Sequence, residues 1–548
     1  MDRVTRREAL ATAGLAGVAL ATPGLLLAEI RANGTPTRPI DTNSGKVRGL
    51  RGGGVSAFLG IPYGADTSAY RFQITRPAKP WAGVRDCFKI GHQAPQMEIN
   101  AAAAAGPGAN LNSDWIKTVM TIFRTGMEVG NEGEDCLVLN IWTPDASPAR
   151  KRPVMFWIHG GGFTIGSGGD PQYDGARLAR RGDVVVVTVN HRLNALGYLY
   201  LGDIHSDFAD SGNIGQLDLV AAMQWVRANI AQFGGDPNNV MIFGESGGGS
   251  KVSTLLAMPP AKSLFHKAAI ESGPGLTMVP KADAVALAEA ALAELGIARA
   301  DVHKLQTMDA KAIMAACGTA AAKLRQRQTL SPVVDGRSLP RNPFTPDAPE
   351  VSRDVPVIIG TCKDESTLFL SADPNFQTMT VEQAQARFKM MAGPKADQAF
   401  AVYRAARPND KPIHWVTSLA TDSGTWANSI RLAERKAAQH AAPVYMFRLD
   451  WETPILGGMM KTPHGLEVPL VFDNVETKRV VLGSGPQPQT VANAMANAWI
   501  AFARTGNPSQ PGLVWPAYDA TGRKTMLFDV KSHVVADPDK PKRELWVA

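Results

Sequence analysis

Apolar residues fall along this chain in short continuous runs bounded by glycines and polar turns. The clearest occupy 153–158, 184–189, 240–243, 268–271, 355–359 and 443–449. Their length and their content of Val, Ile and aromatic residues predict strands buried on both faces. Between them the period lengthens. Leu217, Val220, Ala221, Trp225, Ile230 and Phe233 recur at helical spacing and predict a helix over 217–233. Residues 281–330 are rich in alanine and predict further helices. Buried strands alternating with helices argue for an α/β fold, a mostly parallel central sheet covered by helices on both faces. No internal repeat interrupts the pattern.

Two of the strands end in chemistry. Val240-Met241-Ile242-Phe243 runs into Gly244-Glu245-Ser246-Gly247-Gly248-Gly249. This Gly-x-Ser-x-Gly between a strand and a helix is the context of a nucleophile elbow, in which small residues at positions 244 and 248 let strand and helix nearly touch. A phosphate-binding loop fits worse. It needs Gly-Lys followed by Ser or Thr, whereas here Ser250 intervenes before Lys251 and Val252 follows. Upstream, the strand 153–158 leads into His159-Gly160-Gly161-Gly162-Phe163. Glycines there allow backbone N–H groups to approach a developing oxyanion. His159 is expected to shape this loop rather than act as a base.

With these two motifs the chain resembles a type-B carboxylesterase, the family that includes cholinesterases, mammalian liver carboxylesterases and bacterial para-nitrobenzyl esterases. Phe58-Leu59-Gly60-Ile61-Pro62-Tyr63, Glu134 to Trp142, Phe233-Gly234-Gly235-Asp236-Pro237, Ser331 to Gly336 and Thr505-Gly506-Asn507-Pro508 are similar to its landmarks, in the same order. The resemblance implies an α/β-hydrolase fold with large insertions over the active site, residues 281–330 among them at its mouth. It also implies a single domain over 35–548.

The remaining site residues come from the same resemblance. Gly360-Thr361-Cys362-Lys363-Asp364-Glu365-Ser366 matches the acid segment, with Cys362 and Ser366 replacing the usual asparagine and glycine or alanine. His464-Gly465-Leu466-Glu467-Val468-Pro469 matches the histidine segment. The implied catalytic residues are Ser246, Glu365 and His464, in the chain order of α/β-hydrolases. Gly161, Gly162 and Gly247 would form the oxyanion hole. Glu245 and Ser272 match positions around the triad, with supporting or purely structural roles. Asp364 is expected to be structural. The implied reaction is serine ester hydrolysis through an acyl-enzyme, on neutral, fairly bulky small-molecule esters. Two alternatives share the motifs: a catalytically silent cholinesterase-like binding protein, and an amidase, lactonase or specialised detoxifying esterase. The intact triad argues against the first.

The N-terminus adds a destination. Arg6-Arg7 precedes an apolar run from Ala11 to Ala28, similar to a bacterial twin-arginine export signal over residues 1–32, with cleavage after Ala28 or Ala32. Gly14, Gly17, Pro23 and Gly24 make a stable membrane span a weaker reading. The expected location is periplasmic or secreted, with the twin-arginine export machinery as a partner. The net charge of +7 on 548 residues is mild, and without a dense basic run it gives no reason to expect nucleic acid. Four cysteines without Cys-x-x-Cys, and no His-Glu-x-x-His, give no reason to expect a metal, and the chemistry needs no cofactor. His205, His303, His414, His440 and His533 read as solvated. Family members often pair the cysteine at the Cys136 position with one at the place Ala94 holds here. Cys87 is the nearby substitute, and the bridge stays open. The segment 97–133, with Trp115 and Phe123, and the residues Trp451, Leu456 and Met459 are candidates for the substrate rim.

Overall fold

A computed structural model of the chain describes residues 26–97, 113–124, 131–326 and 330–547. At its centre is a 12-stranded sheet. In chain order its strands are β1 (Thr35–Pro36), β2 (Leu50–Gly52), β3 (Val55–Pro62), β4 (Val138–Thr143), β5 (Arg152–Ile158), β6 (Val185–Val189), β7 (Gly235–Glu245), β8 (Lys267–Glu271), β9 (Val357–Cys362), β10 (Val444–Leu449), β11 (Lys524–Phe528) and β12 (His533–Ala536). Across the sheet they lie in the order β1-β2-β3-β4-β6-β5-β7-β8-β9-β10-β11-β12. Pairing is parallel from β6 through β11 and antiparallel at both edges.

The apolar runs became strands because alternate residues have cores on opposite sides. Phe156 and Ile158 enter one cluster, Met155 and Trp157 the other. Helices α3 (Ile214–Asn229) and α4 (Gly247–Leu255) cover the first face through Leu219, Val226, Val252 and Leu255. The second face is covered by α2 (Ala176–Gly182) and α8 (Gln487–Thr505), through Leu178, Met495 and Trp499. The expected helix at 217–233 therefore starts earlier and closes with a 3-10 turn at Ile230–Phe233. Its buried stripe is Leu219, Val220, Met223 and Val226, while Leu217 and Ala221 lie on the flank.

Residues 281–324 form α5 (Lys281–Glu294), a 3-10 helix (Arg299–Gln306) and α6 (Ala310–Leu324). They do pack as an insertion, against Phe72, Leu196, Leu201 and Phe208 in a satellite core. The aromatic ring beside His464 is Phe369, on α7 (Ser366–Leu370), with ring centroids 4.8 Å apart. Of the expected rim, 98–112 and 125–130 lie outside the described residues. Helix α1 (Asp114–Arg124) carries Trp115, which stacks on Phe376 at 5.6 Å and donates to the Ser371 carbonyl at 3.0 Å, as ordinary rim packing. Trp451 is buried in the second core face, while Leu456 and Met459 join a cluster with Trp415 and Phe376. All four cysteines are free and buried, so Cys87 and Cys136 share a core without a bridge. The paired arginines lie outside the described residues. A helix at Leu26–Asn33 buries Ile30 against the cluster that holds Val55 and leaves Ala28 and Ala32 exposed. No helix among the described residues is long and apolar enough to cross a membrane.

Candidate active site

The parallel strands deliver the site residues from their C-terminal ends: His159 after β5, Ser246 after β7, Ser272 after β8 and Glu365 after β9. Ser246 has φ 58° and ψ −123°, a strained conformation for a residue with a β-carbon. Its own N–H is held by the Glu271 carbonyl at 2.9 Å, and its carbonyl accepts from Ser250 at 3.0 Å. The flanking glycines are sterically required. A β-carbon at Gly248 would lie 2.1 Å from the Ile158 carbonyl oxygen, and one at Gly244 would lie 2.7 Å from the Gly248 carbonyl carbon.

The glycine loop after β5 meets this turn backbone to backbone. Gly161 and Gly162 take φ 81° and 61°. A β-carbon at Gly247 would stand 2.4 Å from Gly162 Cα. Among the described residues the N–H groups of Gly161, Gly162 and Gly247 have no backbone or side-chain acceptor. They form a cluster of free donors at the head of α4, whose dipole adds positive potential.

The acid and histidine segments also converge. Glu365 Oε1 accepts from the Cys362 N–H at 2.8 Å, and Oε2 accepts from His464 Nδ1. Both are largely shielded, with 14% of the His464 side chain and 1% of the Glu365 side chain exposed. The structure departs from the expected series at the next link. His464 Nε2 faces Glu245 Oε1 at 3.2 Å, and among the described residues Ser246 Oγ has no hydrogen bond. That contact is an ion pair by distance only: Glu245 Oε1 has no hydrogen-bond partner among the described residues, so no hydrogen bond holds Nε2. Burial lowers the His464 pKa, but Glu245 and then Glu365 outweigh it and raise it. Burial likewise pushes Glu245 up against the pull of His464.

Beneath them lies a carboxylate that the motifs contained but did not single out. Glu467 is fully buried and accepts from Ser272 Oγ, while Cys362 Sγ donates to its other oxygen at 2.9 Å. Burial, then the charge of Glu365, raises Glu467. Cys362, Glu365 and Glu467 offer donor atoms close enough to hold a metal. Here those atoms are already engaged with one another and with His464. Asp364 turns away to pair with buried Arg407. His159 is buried too, its ring 4.7 Å from that of His191, and burial followed by the Lys251 charge pushes it down to about 3. It is a neutral loop-shaping group. Lys251 Nζ, wholly buried on α4, donates to the His159 carbonyl at 3.0 Å. A cavity of about 390 Å³ lined by Pro62, Tyr70, Arg76 and Asp135 includes none of these residues.

The family model described as "Carboxylesterase family" matches residues 36–546. This chain belongs to that family. It is 35% identical over 513 residues to the para-nitrobenzyl esterase of Bacillus subtilis, covering 92% of this chain and 97% of the relative. It is 30% identical over 522 residues to the phenmedipham hydrolase of Pseudarthrobacter oxydans, covering 92% and 98%. The solved carboxylesterase of Geobacillus stearothermophilus superposes with a TM-score of 0.76 at 36% identity, covering 93% of this chain and all of that one. The fold is that of the α/β-hydrolases, and the protein is a serine carboxylic ester hydrolase.

Proposed function

We propose that ester hydrolysis runs through Ser246, His464 and Glu365 by an acyl-enzyme. The observation that carries this reading is the strained Ser246 at a strand-to-helix turn beside three free backbone donors. His464 would take the Ser246 proton as the hydroxyl attacks the ester carbonyl and return it to the departing alcohol. Glu365 would hold the tautomer with the proton on Nδ1 and stabilise the imidazolium. The N–H groups of Gly161, Gly162 and Gly247 would bind the tetrahedral oxyanion, each contributing about 2.7–4 kcal/mol by analogy with other oxyanion holes. Water then repeats the sequence on the acyl-enzyme. Attack requires His464 Nε2 to meet Ser246 Oγ, a hydrogen bond of the kind that commonly tightens only with substrate bound. Ser272 and Glu467 support the acid from below.

The preferred substrate class is neutral esters of fair bulk. Phe369, 53% exposed and tilted against the His464 ring, offers an apolar wall to an incoming chain. The net positive charge gives no reason to prefer cationic alcohols. Hydrolysis of para-nitrophenyl esters from acetate to longer chains tests this, with kcat/KM expected to rise to an intermediate chain length. Activity confined to the acetate contradicts it. The leader supports export of the folded enzyme through the twin-arginine machinery to the periplasm or beyond.

A further inference from the structure

A second cluster of chemistry-bearing side chains lies away from Ser246. His205 caps a 3-10 turn, Ser206–Phe208, that also carries Asp207. His303 sits on the 3-10 helix Arg299–Gln306 of the helical insertion. Phe208, fully buried, lies behind both rings, at 6.0 Å from His205 and 5.0 Å from His303. The two imidazoles meet edge to face at 4.5 Å. Asp207 Oδ2 stands 3.8 Å from His205 Nδ1 and 3.7 Å from His303 Nε2.

We propose that His205, Asp207 and His303 bind one divalent transition-metal ion of the zinc class. The hydrogen bonds around the cluster set the tautomers. Gln306 Nε2 donates to the Arg71 carbonyl at 3.3 Å, which turns Gln306 Oε1 to His303 Nδ1 at 3.2 Å. Nδ1 therefore carries the proton, and the His303 lone pair is on Nε2, facing Asp207. A histidine ligand held through its other ring nitrogen by an amide oxygen is a recurrent support in metal sites. His205 Nδ1 accepts the Asp207 N–H at 3.2 Å, so its lone pair also lies on that side. The His303 Nε2 lone pair and the Asp207 carboxylate thus face one another, and His205 Nδ1, which takes the Asp207 N–H, lies within reach of both. Donors in a tetrahedral site with bonds of about 2.0–2.1 Å stand about 3.3 Å apart. The two distances above exceed that by about half an ångström, and all three donor atoms lie within 4.8 Å of one another. Two imidazoles and one carboxylate suit zinc, nickel or copper better than calcium or magnesium. All three side chains are between 41% and 53% exposed, so an ion enters freely and water completes its shell. The bound ion must displace the weak Asp207 N–H contact on His205, which limits affinity. Once bound it ties the 205–208 turn to the insertion across the satellite core.

The test uses untagged protein stripped with EDTA and titrated with zinc sulfate in a calorimeter at about pH 7.5. One ion per chain is expected, with a rise in Tm and, for cobalt(II) in place of zinc, visible ligand-field absorption. Asp207→Asn and His303→Ala should each weaken binding about tenfold or more. Their metal-free melts and esterase rates should match wild type. Binding equal to wild type in both variants, or no binding tighter than about 1 mM, overturns the proposal.

Discussion

At the scale of single residues, the decisive relationship is that of Glu245 to His464. A general base must be neutral to accept a proton, yet two carboxylates bracket this imidazole and favour its charged form. The acid limb of the kcat/KM profile therefore reports a His464 pKa above the ordinary imidazole value: activity is present above that pKa and lost as pH falls through it. Glu245→Gln removes one of the two charges. It should move the limb to lower pH by about one unit or more, measured with a para-nitrophenyl ester across the acid range. An unmoved limb would mean that Glu245 does not share the proton of His464. Glu245 was legible in the sequence as a neighbour of the nucleophile. Its approach to His464 Nε2 was not, because that depends on which way a side chain turns.

At the scale of elements, strand ends and helix heads place the site. The six apolar runs read from the sequence correspond to β5 through β10, since central parallel strands are buried on both faces and leave continuous hydrophobic text. The antiparallel strands β3 and β4, and the edge pair β11 and β12, carry weaker patterns and were recognised as motifs or not at all. The insertion at 281–324 was legible as helix, but its docking against the 195–208 segment was not, because helical periodicity says which face is apolar and not what covers it. Lys251 shows the same limit. It ties α4 to the end of β5 through the His159 carbonyl, with His159 and His191 as its charged or chargeable neighbours. Burial pushes its ammonium down to about 7. The unfolded chain, with the ordinary lysine value of about 10.4, binds that proton more tightly between the two values. The cost of burying this lysine is thus fully present below about pH 7 and fades as pH rises towards 10.4. Lys251→Met should raise Tm more at about pH 6 than at about pH 9.5, read from thermal melts. An equal change at both values would place the ammonium outside the low-dielectric core.

At the scale of the whole molecule, the proposed export through the twin-arginine machinery rests on the first residues. Lysines in place of Arg6 and Arg7 should hold the active enzyme in the cytoplasm, read by cell fractionation. Continued export of that variant would assign the leader to another route. The mass of the exported chain also distinguishes the two cleavage points, since cutting after Ala28 retains Ile30 in its buried place and cutting after Ala32 removes it. The family and the fold were legible from long motifs in order. The metal-ligand cluster was not, because His205 and His303 are far apart in sequence and each alone looks solvated. The central claim is that one strained serine performs the chemistry, and mass-spectrometric mapping of the enzyme after reaction with a fluorophosphonate tests it most directly. The account predicts a single adduct on Ser246 with loss of esterase activity in step. An adduct on another residue that abolishes activity while Ser246 stays unmodified would contradict it.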